Sequence, residues 1–260
     1  MFYRSRNPAL NDRVWSQAES QGGEAMSIQG AVNKCFILLI LAFMSASWVW
    51  GKLSQPVSPF AESYEASASA GVVVPFVMWG GLIGFILVVV TGFKLNWSPV
   101  TAPLYAVCEG FVLGGVSAMF EKNYPGIAVQ AVSLTFGTLF CLLMAYRSGL
   151  IRVTDKMRLG LSAALGGIFL VYITNWILGF FHREIPFIYG SGPVSIGFSL
   201  IVVCVAALFL VIDFDLIERY SAHGAPKYME WYGAMSLLIT LIWLYFELLS
   251  LLAKLRDSRR

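Results

Sequence analysis

Seven long apolar runs, separated by short polar segments, set the pattern of this 260-residue chain. Each run is close to the roughly 17–25 residues that an α-helix needs to cross the hydrocarbon core of a bilayer. The runs cover residues 31–51, 70–92, 102–120, 126–146, 159–181, 192–217 and 232–252. The pattern therefore predicts an all-α polytopic membrane protein whose seven transmembrane helices form one bundle.

Polarity divides the chain into three parts. Residues 1–29 are mostly polar and predict an N-terminal tail, residues 30–253 hold the transmembrane domain, and residues 254–260 form a basic C-terminal tail. The polar start does not fit a cleavable signal peptide. Within the domain, recurring glycines in spans two, three and five predict close contacts between helices. These are Gly80, Gly81, Gly84, Gly110, Gly114, Gly115, Gly166 and Gly167.

Basic residues are divided unevenly between the two predicted membrane faces. The loops on the side of the N-terminus hold Arg4, Arg6, Arg13, Lys94, Arg147, Arg152, Lys156, Arg158, Arg219 and Lys227, whereas the opposite loops hold Lys52, Lys122 and Arg183. Because positive charge is enriched in cytoplasmic loops, the N-terminus is expected in the cytoplasm. The basic C-terminal tail disagrees, since seven spans place it outside. Six spans and a re-entrant last segment are the alternative, and the length of the last run favours seven.

Carboxylates interrupt the apolar runs. Asp213 and Asp215 lie in the sixth span, Glu247 in the seventh and Glu109 in the third. An ionised side chain at the centre of a membrane helix costs roughly 2.5–3.5 kcal/mol on insertion scales, so such residues usually face a bundle interior and mark ion or proton sites. A structural hydrogen bond to a neighbouring helix is the simpler interpretation of each acid alone. Several acids that converge on one cavity favour an ion site, because they need a cation or shared protons.

Helical phase orders these acids. Glu247 shares a stripe of α-helical spacing with Gly233, Ser236 and Thr240, and small polar residues are typical of helix–helix contacts in membranes. Asp213 shares a stripe of mostly small or apolar residues in the sixth span. Asp215 lies about 200° further round that helix. We therefore predict that Asp213 and Glu247 face the bundle interior, and that Asp215 lies nearer the water-exposed end.

Enzyme signatures are missing from the sequence. It holds no H-E-x-x-H, no G-x-S-x-G and no phosphate-binding loop, and its cysteines have no metal-ligand spacing. A retinal protein needs a lysine midway along the last helix, whereas Lys254 lies at its end. We expect no enzymatic activity, no cofactor and no nucleic-acid partner. Lys94, at the end of the second span, is either an interfacial lysine or the partner of a carboxylate.

Five segments resemble the Bax inhibitor-1 family, and within it the bacterial branch with a long N-terminal tail. They are RSRNPAL, TAPLYAVCEGFVLGG, IPFIYGSGPVSIGFSL, IDFDLIERYSAHGAPKYMEWYGA and LYFELLSLL. Family members carry an aspartate in the sixth helix and another in a seventh-helix L-Y-L-D segment. Asp213 matches the first position. Glu247, in LYFE, stands where the family has its second aspartate.

The resemblance implies six helices layered around a central C-terminal one, and a pH-sensitive Ca²⁺ leak across a bacterial inner membrane. It further implies that Asp213 and Glu247 are paired in a closed state, with Lys94 as the nearest match to a basic latch. The expected partners are the bilayer, Ca²⁺ and H⁺, and other membrane proteins are possible. The glutamate in place of aspartate and a longer connection between the last two helices are departures from the family pattern.

The chemistry of two neighbouring carboxylates agrees with this expectation. Two ionised acids in a low-dielectric bundle repel each other, so one takes up a proton and the pair shares a hydrogen bond. The doubly ionised pair needs a cation, and oxygen ligands suit Ca²⁺. Asp213 and Glu247 are thus predicted as a gate and as Ca²⁺ ligands. Proton-coupled transport of a small solute, and a regulatory protein that binds other membrane proteins, remain alternatives.

Overall fold

The computed structural model describes residues 25–53, 62–180, 190 and 192–259. Within these ranges seven helices are long and apolar enough to cross a membrane, which confirms the predicted fold class. They are α1 (Ile28–Leu53), α2 (Glu62–Phe93), α3 (Ser98–Asn123), α4 (Ile127–Arg147), α5 (Asp155–Phe180), α6 (Pro193–Ala222) and α7 (Met229–Asp257). A short 3₁₀ helix, Leu95–Trp97, joins α2 to α3.

Helix α7 occupies the centre of the bundle. Its apolar window is 67% buried, whereas the corresponding windows of the other helices are 17–39% buried. It packs against α1, α3, α4 and α6, and Leu238, Leu244 and Leu249 are fully enclosed. A helix that is hydrophobic all round can accept neighbours on every side. The predicted central C-terminal helix is confirmed.

Apolar side chains cover the outer faces of the helices. Many large ones are more than 60% exposed, among them Phe36, Phe43, Met78, Phe85, Val129 and Leu170. In water such a surface would drive aggregation, whereas lipid chains solvate it. The surface is that of a membrane-embedded bundle.

Successive helices alternate in direction, which defines two membrane faces. Ile28, Phe93 and Met229 lie at one face, here called the entry face. Leu53 and Asp257 lie at the opposite face. The helices extend beyond the predicted spans at both ends of the domain, since α1 begins two residues before residue 30 and α7 continues four residues past residue 253. Residues 1–24 of the predicted N-terminal tail lie outside the described residues.

The connection between α6 and α7 holds the start of α1 at the entry face. The Met26 amide donates to the Ala225 carbonyl at 2.7 Å, and the Ser221 hydroxyl donates to the Met26 carbonyl at 3.4 Å. Met26 and Ala225 are both buried. The last residues before α1 are thus part of the folded domain and not of a separate tail.

Glycines bring α1 and α3 into close contact. A Cβ on Gly114 would lie 2.9 Å from the Ala46 Cα and closer still to the Ala46 carbonyl oxygen, and one on Gly110 would overlap α1 in the same way. In α2, a Cβ on Gly80 would lie 2.7 Å from the Cys108 carbonyl oxygen. The predicted close packing is correct at these positions. It is wrong for Gly166 and Gly167 in α5, where a Cβ would meet nothing within 4 Å, because α5 is a peripheral helix.

We expect Gly114→Ala to destabilise the bundle. The added methyl group meets backbone atoms of α1, which cannot move aside as a side chain would, so the two helices must separate. Overpacking of this kind costs about 1–3 kcal/mol. Thermal unfolding of the purified variants in detergent measures the effect, with Gly166→Ala as the matched control. Equal destabilisation by both changes would contradict the α1–α3 contact.

Seven spans place the two ends of the domain at opposite faces. A reporter fused after Arg260 should therefore report the side opposite to one fused before Met1. Because Lys and Arg are enriched in the loops on the side of the N-terminus, we expect a cytoplasmic N-terminus and an external C-terminus. A cytoplasmic signal from both fusions would mean six spans and a re-entrant α7.

Candidate functional site

Asp213 lies in the bundle interior between α6 and α7. Its side chain is only 6% exposed, and the Ser236 hydroxyl of α7 donates to its Oδ1 at 2.6 Å. The second carboxylate oxygen, Oδ2, is buried and has no hydrogen-bond partner among the described residues. The small Ser236 side chain lets α6 and α7 approach closely at this depth. The prediction that Asp213 faces inward is correct.

Glu247 lies on α7 and faces α5. It is half-buried, and its Oε1 accepts hydrogen bonds from the Tyr172 hydroxyl at 3.0 Å and from the Trp243 indole at 3.2 Å. Lys254 lies further along the same helix, where its ammonium group donates to the Ser199 hydroxyl of α6 at 2.7 Å. Glu247 therefore has its own set of partners near the opposite face.

Asp213 and Glu247 do not meet in this structure. Asp213 is level with Ser236, and Glu247 follows Ser236 by eleven residues on α7. At about 1.5 Å per residue the two α7 positions are roughly 16 Å apart along the helix. The prediction of a hydrogen-bonded pair, and of a Ca²⁺ site made from both carboxylates, is not met here. Helical phase placed both residues on inward faces, but phase alone does not determine their depth in the membrane.

Asp215 forms two ion pairs that were not predicted from the sequence. Its Oδ2 accepts from the Arg158 guanidinium of α5 and, at 2.8 Å, from the Arg219 guanidinium one turn further along α6. Asp215 lies two residues nearer the end of α6 than Asp213, but its side chain is only 8% exposed. Arg158 was counted above only as a determinant of orientation. Its place directly before the fifth apolar span was the signal for a buried partner.

A second ion pair at the entry face was missed altogether. The Glu230 carboxylate of α7 is 2% exposed and pairs with the Lys34 ammonium group of α1. Glu230 also accepts from the Ser27 amide at 2.9 Å and from the Ser27 hydroxyl at 3.1 Å. A lysine inside the first apolar run was the sequence signal, because an unpaired ammonium group is costly there.

The remaining two candidates lie apart from Asp213. Glu109 is half-buried on α3 and faces α2, where a Cβ on Gly84 would lie 3.0 Å from its Oε1. Lys94 is exposed at the entry face and lies over the Trp97 ring, 4.5 Å from its centroid. No described carboxylate pairs with Lys94. Its position is that of an interfacial lysine and not of a latch.

The acids therefore remain separate. Among the described residues, no group of three or more histidines, cysteines, aspartates or glutamates is close enough to hold a metal ion. Two hydroxyl residues of α7, Ser236 and Thr240, lie between the level of Asp213 and Glu247. We call these four residues the α6–α7 seam. The seam therefore holds single carboxylates and hydroxyls and not a cluster of metal ligands.

A comparison with known protein families accounts for nearly the whole chain. The family model described as Bax inhibitor 1 like matches residues 7–257. The chain belongs to the Bax inhibitor 1 like family. No curated protein and no solved structure matches it. The family match confirms the resemblance inferred from the sequence motifs, and it covers all seven helices of this family member.

Proposed function

We propose that this Bax inhibitor 1 like protein is a pH-sensitive cation leak channel or exchanger for Ca²⁺, with Asp213 as its gate. One observation carries the proposal, which is the buried Asp213 Oδ2 that has no hydrogen-bond partner in the described chain. A buried carboxylate oxygen without a partner is costly when the group is ionised. Proton or cation binding at that oxygen relieves the cost.

Two other buried acids near the entry face already have compensating charges. Asp215 has Arg158 and Arg219, and Glu230 has Lys34. Asp213 has the neutral hydroxyl groups of Ser236 and Thr240 beside it, and no cation pairs with it among the described residues. These ion pairs connect α5 to α6 and α1 to α7, which supports a structural role for them. The charge of Asp213 is thus the one that responds to protons and to cations in the seam.

Two states of the seam follow from this chemistry. When Asp213 is protonated, the α6–α7 contact is neutral and attracts no cation. When it is ionised, its free oxygen and the neighbouring Ser236 and Thr240 oxygens offer the hard ligands that suit Ca²⁺. Protons and Ca²⁺ therefore favour different states of one site, which is the basis of a pH-dependent flux. Glu247 provides a second carboxylate further along the same route.

Reconstituted protein in calcium-loaded liposomes tests the proposal. We expect Ca²⁺ flux that rises between about pH 6 and about pH 8, because cation binding requires the ionised acid. A proton current without Ca²⁺ movement would instead favour proton-coupled transport of a small solute. The absence of both would favour a regulatory protein that binds other membrane proteins. Localisation to a bacterial inner membrane, with the N-terminus in the cytoplasm, is part of the same proposal.

A further inference from the structure

An apolar groove opens on the lipid-facing side of the bundle, away from the α6–α7 seam. Its volume is about 550 Å³, and its walls come from α1 and α4 while α3 and α7 form its floor. Small residues make the space, among them Ala46, Gly114 and Ala128. Phe43 and Val129 stand at its rim with exposed fractions of 71% and 70%, so the groove is continuous with the outer surface.

A pair of hydroxyl groups lies at the floor of the groove. The Ser117 hydroxyl and the Tyr245 hydroxyl are 2.6 Å apart, and both residues are only 6% exposed. Each hydroxyl carries one hydrogen, and one hydrogen bond between them uses one of the two. No described protein atom accepts the other hydrogen. The floor therefore offers one hydrogen-bond donor to a molecule in the groove.

The position of the groove restricts what can enter it. Ser117 is six residues before the end of α3 and Gly51 lines the groove two residues before the end of α1, so the groove lies in the half of the membrane near the opposite face. Lys52 follows Gly51 at that face and is exposed. The apolar walls fit an acyl chain, and the hydroxyl pair at the floor can donate to an ester carbonyl. The Lys52 cation at the membrane surface suits a phosphate.

We propose that the groove binds a phospholipid of the leaflet at the opposite face. One acyl chain lies between α1 and α4, its ester carbonyl accepts the spare hydrogen of the Ser117–Tyr245 pair, and the phosphate lies near Lys52. Ligand sites of this size are usually apolar with a few polar groups that fix orientation. The site is independent of Asp213 and of the proposed ion flux.

Two photoactivatable probes test the proposal on the full-length protein in nanodiscs. Both are phosphatidylglycerols with a diazirine in one acyl chain, one with ester-linked chains and one with ether-linked chains that lack the carbonyl. We expect the ester probe to label groove peptides of α1 and α4 about three to ten times more than the ether probe, as one net hydrogen bond would give. Peptides of the remaining lipid-facing surface should show no such ratio.

Variants separate the groove from ordinary lipid contact. Ser117→Ala combined with Tyr245→Phe removes both hydroxyls, leaves no unpaired partner and should reduce the ester-to-ether ratio to about one. Ser133→Trp places a large side chain in the groove from an exposed position and should reduce labelling by both probes. Leu200→Trp, on the outer face of α6, is the matched control. Unchanged thermal unfolding shows that each variant is folded.

Three results would overturn the lipid site. One is labelling spread over all lipid-facing helices in proportion to exposure, and another is an ester-to-ether ratio near one in the wild type. The third is crosslinking of the groove to a second copy of the chain in place of the probe. Because Ca²⁺ flux is not measured, failure here leaves the Asp213 proposal unaffected.

Discussion

Asp213→Asn should remove most of the pH dependence of Ca²⁺ flux. Asparagine keeps the shape and the hydrogen bond with Ser236, but it carries no charge at any pH. The ionised form is the one that binds cations, so wild-type flux should follow the ionised fraction, which rises about tenfold per pH unit while the acid is mostly protonated. The variant should stay near the low-pH rate throughout. Liposome flux from about pH 6 to about pH 8 measures both.

The control for Asp213 is an acid of the same type at the membrane surface. Asp257 is exposed at the end of α7 and accepts a hydrogen bond from the Tyr124 hydroxyl at 2.7 Å. Asp257→Asn should leave the pH profile unchanged. Asp215 is not a suitable control, because its substitution would leave Arg158 unpaired. A normal pH response in Asp213→Asn would exclude this residue as the gate.

Glu247→Gln distinguishes a shared gate from two separate sites. A hydrogen-bonded pair would act as one unit, and the double variant would then be no worse than either single. In this structure Asp213 and Glu247 are about three helical turns apart. The effects of two substitutions usually add when the residues are more than roughly 7–10 Å apart. We therefore expect the Asp213→Asn, Glu247→Gln double variant to lose more flux than either single one.

Glu230→Gln should destabilise the bundle by about 3 kcal/mol, the lower end of the range for breaking a buried ion pair. Glutamine keeps an acceptor for Ser27, but it leaves the Lys34 ammonium group without a countercharge at the α1–α7 contact. Lys34→Met added to Glu230→Gln removes that charge and should restore much of the loss. Unfolding of the purified variants in detergent measures the three differences.

Lys52→Met provides the matched control for the Lys34–Glu230 pair. Lys52 is an exposed lysine at the other end of the same helix, so its replacement should change stability by less than about 0.5 kcal/mol. If Glu230→Gln is as stable as the wild type, the ion pair does not hold α1 to α7. If the double variant is less stable than Glu230→Gln, Lys34 has favourable contacts other than Glu230, such as the Trp231 ring 5.6 Å away.

The series of apolar runs was sufficient to predict that this is a membrane protein, the number of its helices and their approximate ends. The need for about 20 apolar residues per span is a property of the bilayer, so each helix could be recognised from its own segment. Span boundaries differed because polar and capping residues continue a helix past its apolar part. At α7, for example, the helix includes Glu230 and Asp257, which lie outside the predicted span.

The intramembrane acids were also visible in the sequence, and so was the inward face of Asp213. Helical phase determines the direction in which a side chain points, because each residue turns about 100° from the last. The partners of the acids were not visible. Arg158 reaches Asp215 and Lys34 reaches Glu230 from helices that are distant in sequence. Which helices become neighbours is decided by packing over the whole bundle.

The sequence by itself determined that this protein spans the membrane seven times, carries costly acids in the last two helices and shares its motifs with a known family. Only the tertiary structure decided the depth at which α6 and α7 face each other. That register places Asp213 against Ser236, about three helical turns from Glu247, whose carboxylate accepts instead from Tyr172 of α5. The reason is physical, since a stripe of small residues permits contact along its whole length. The sum of contacts with α1, α3, α4 and α5 selects the one alignment that packs.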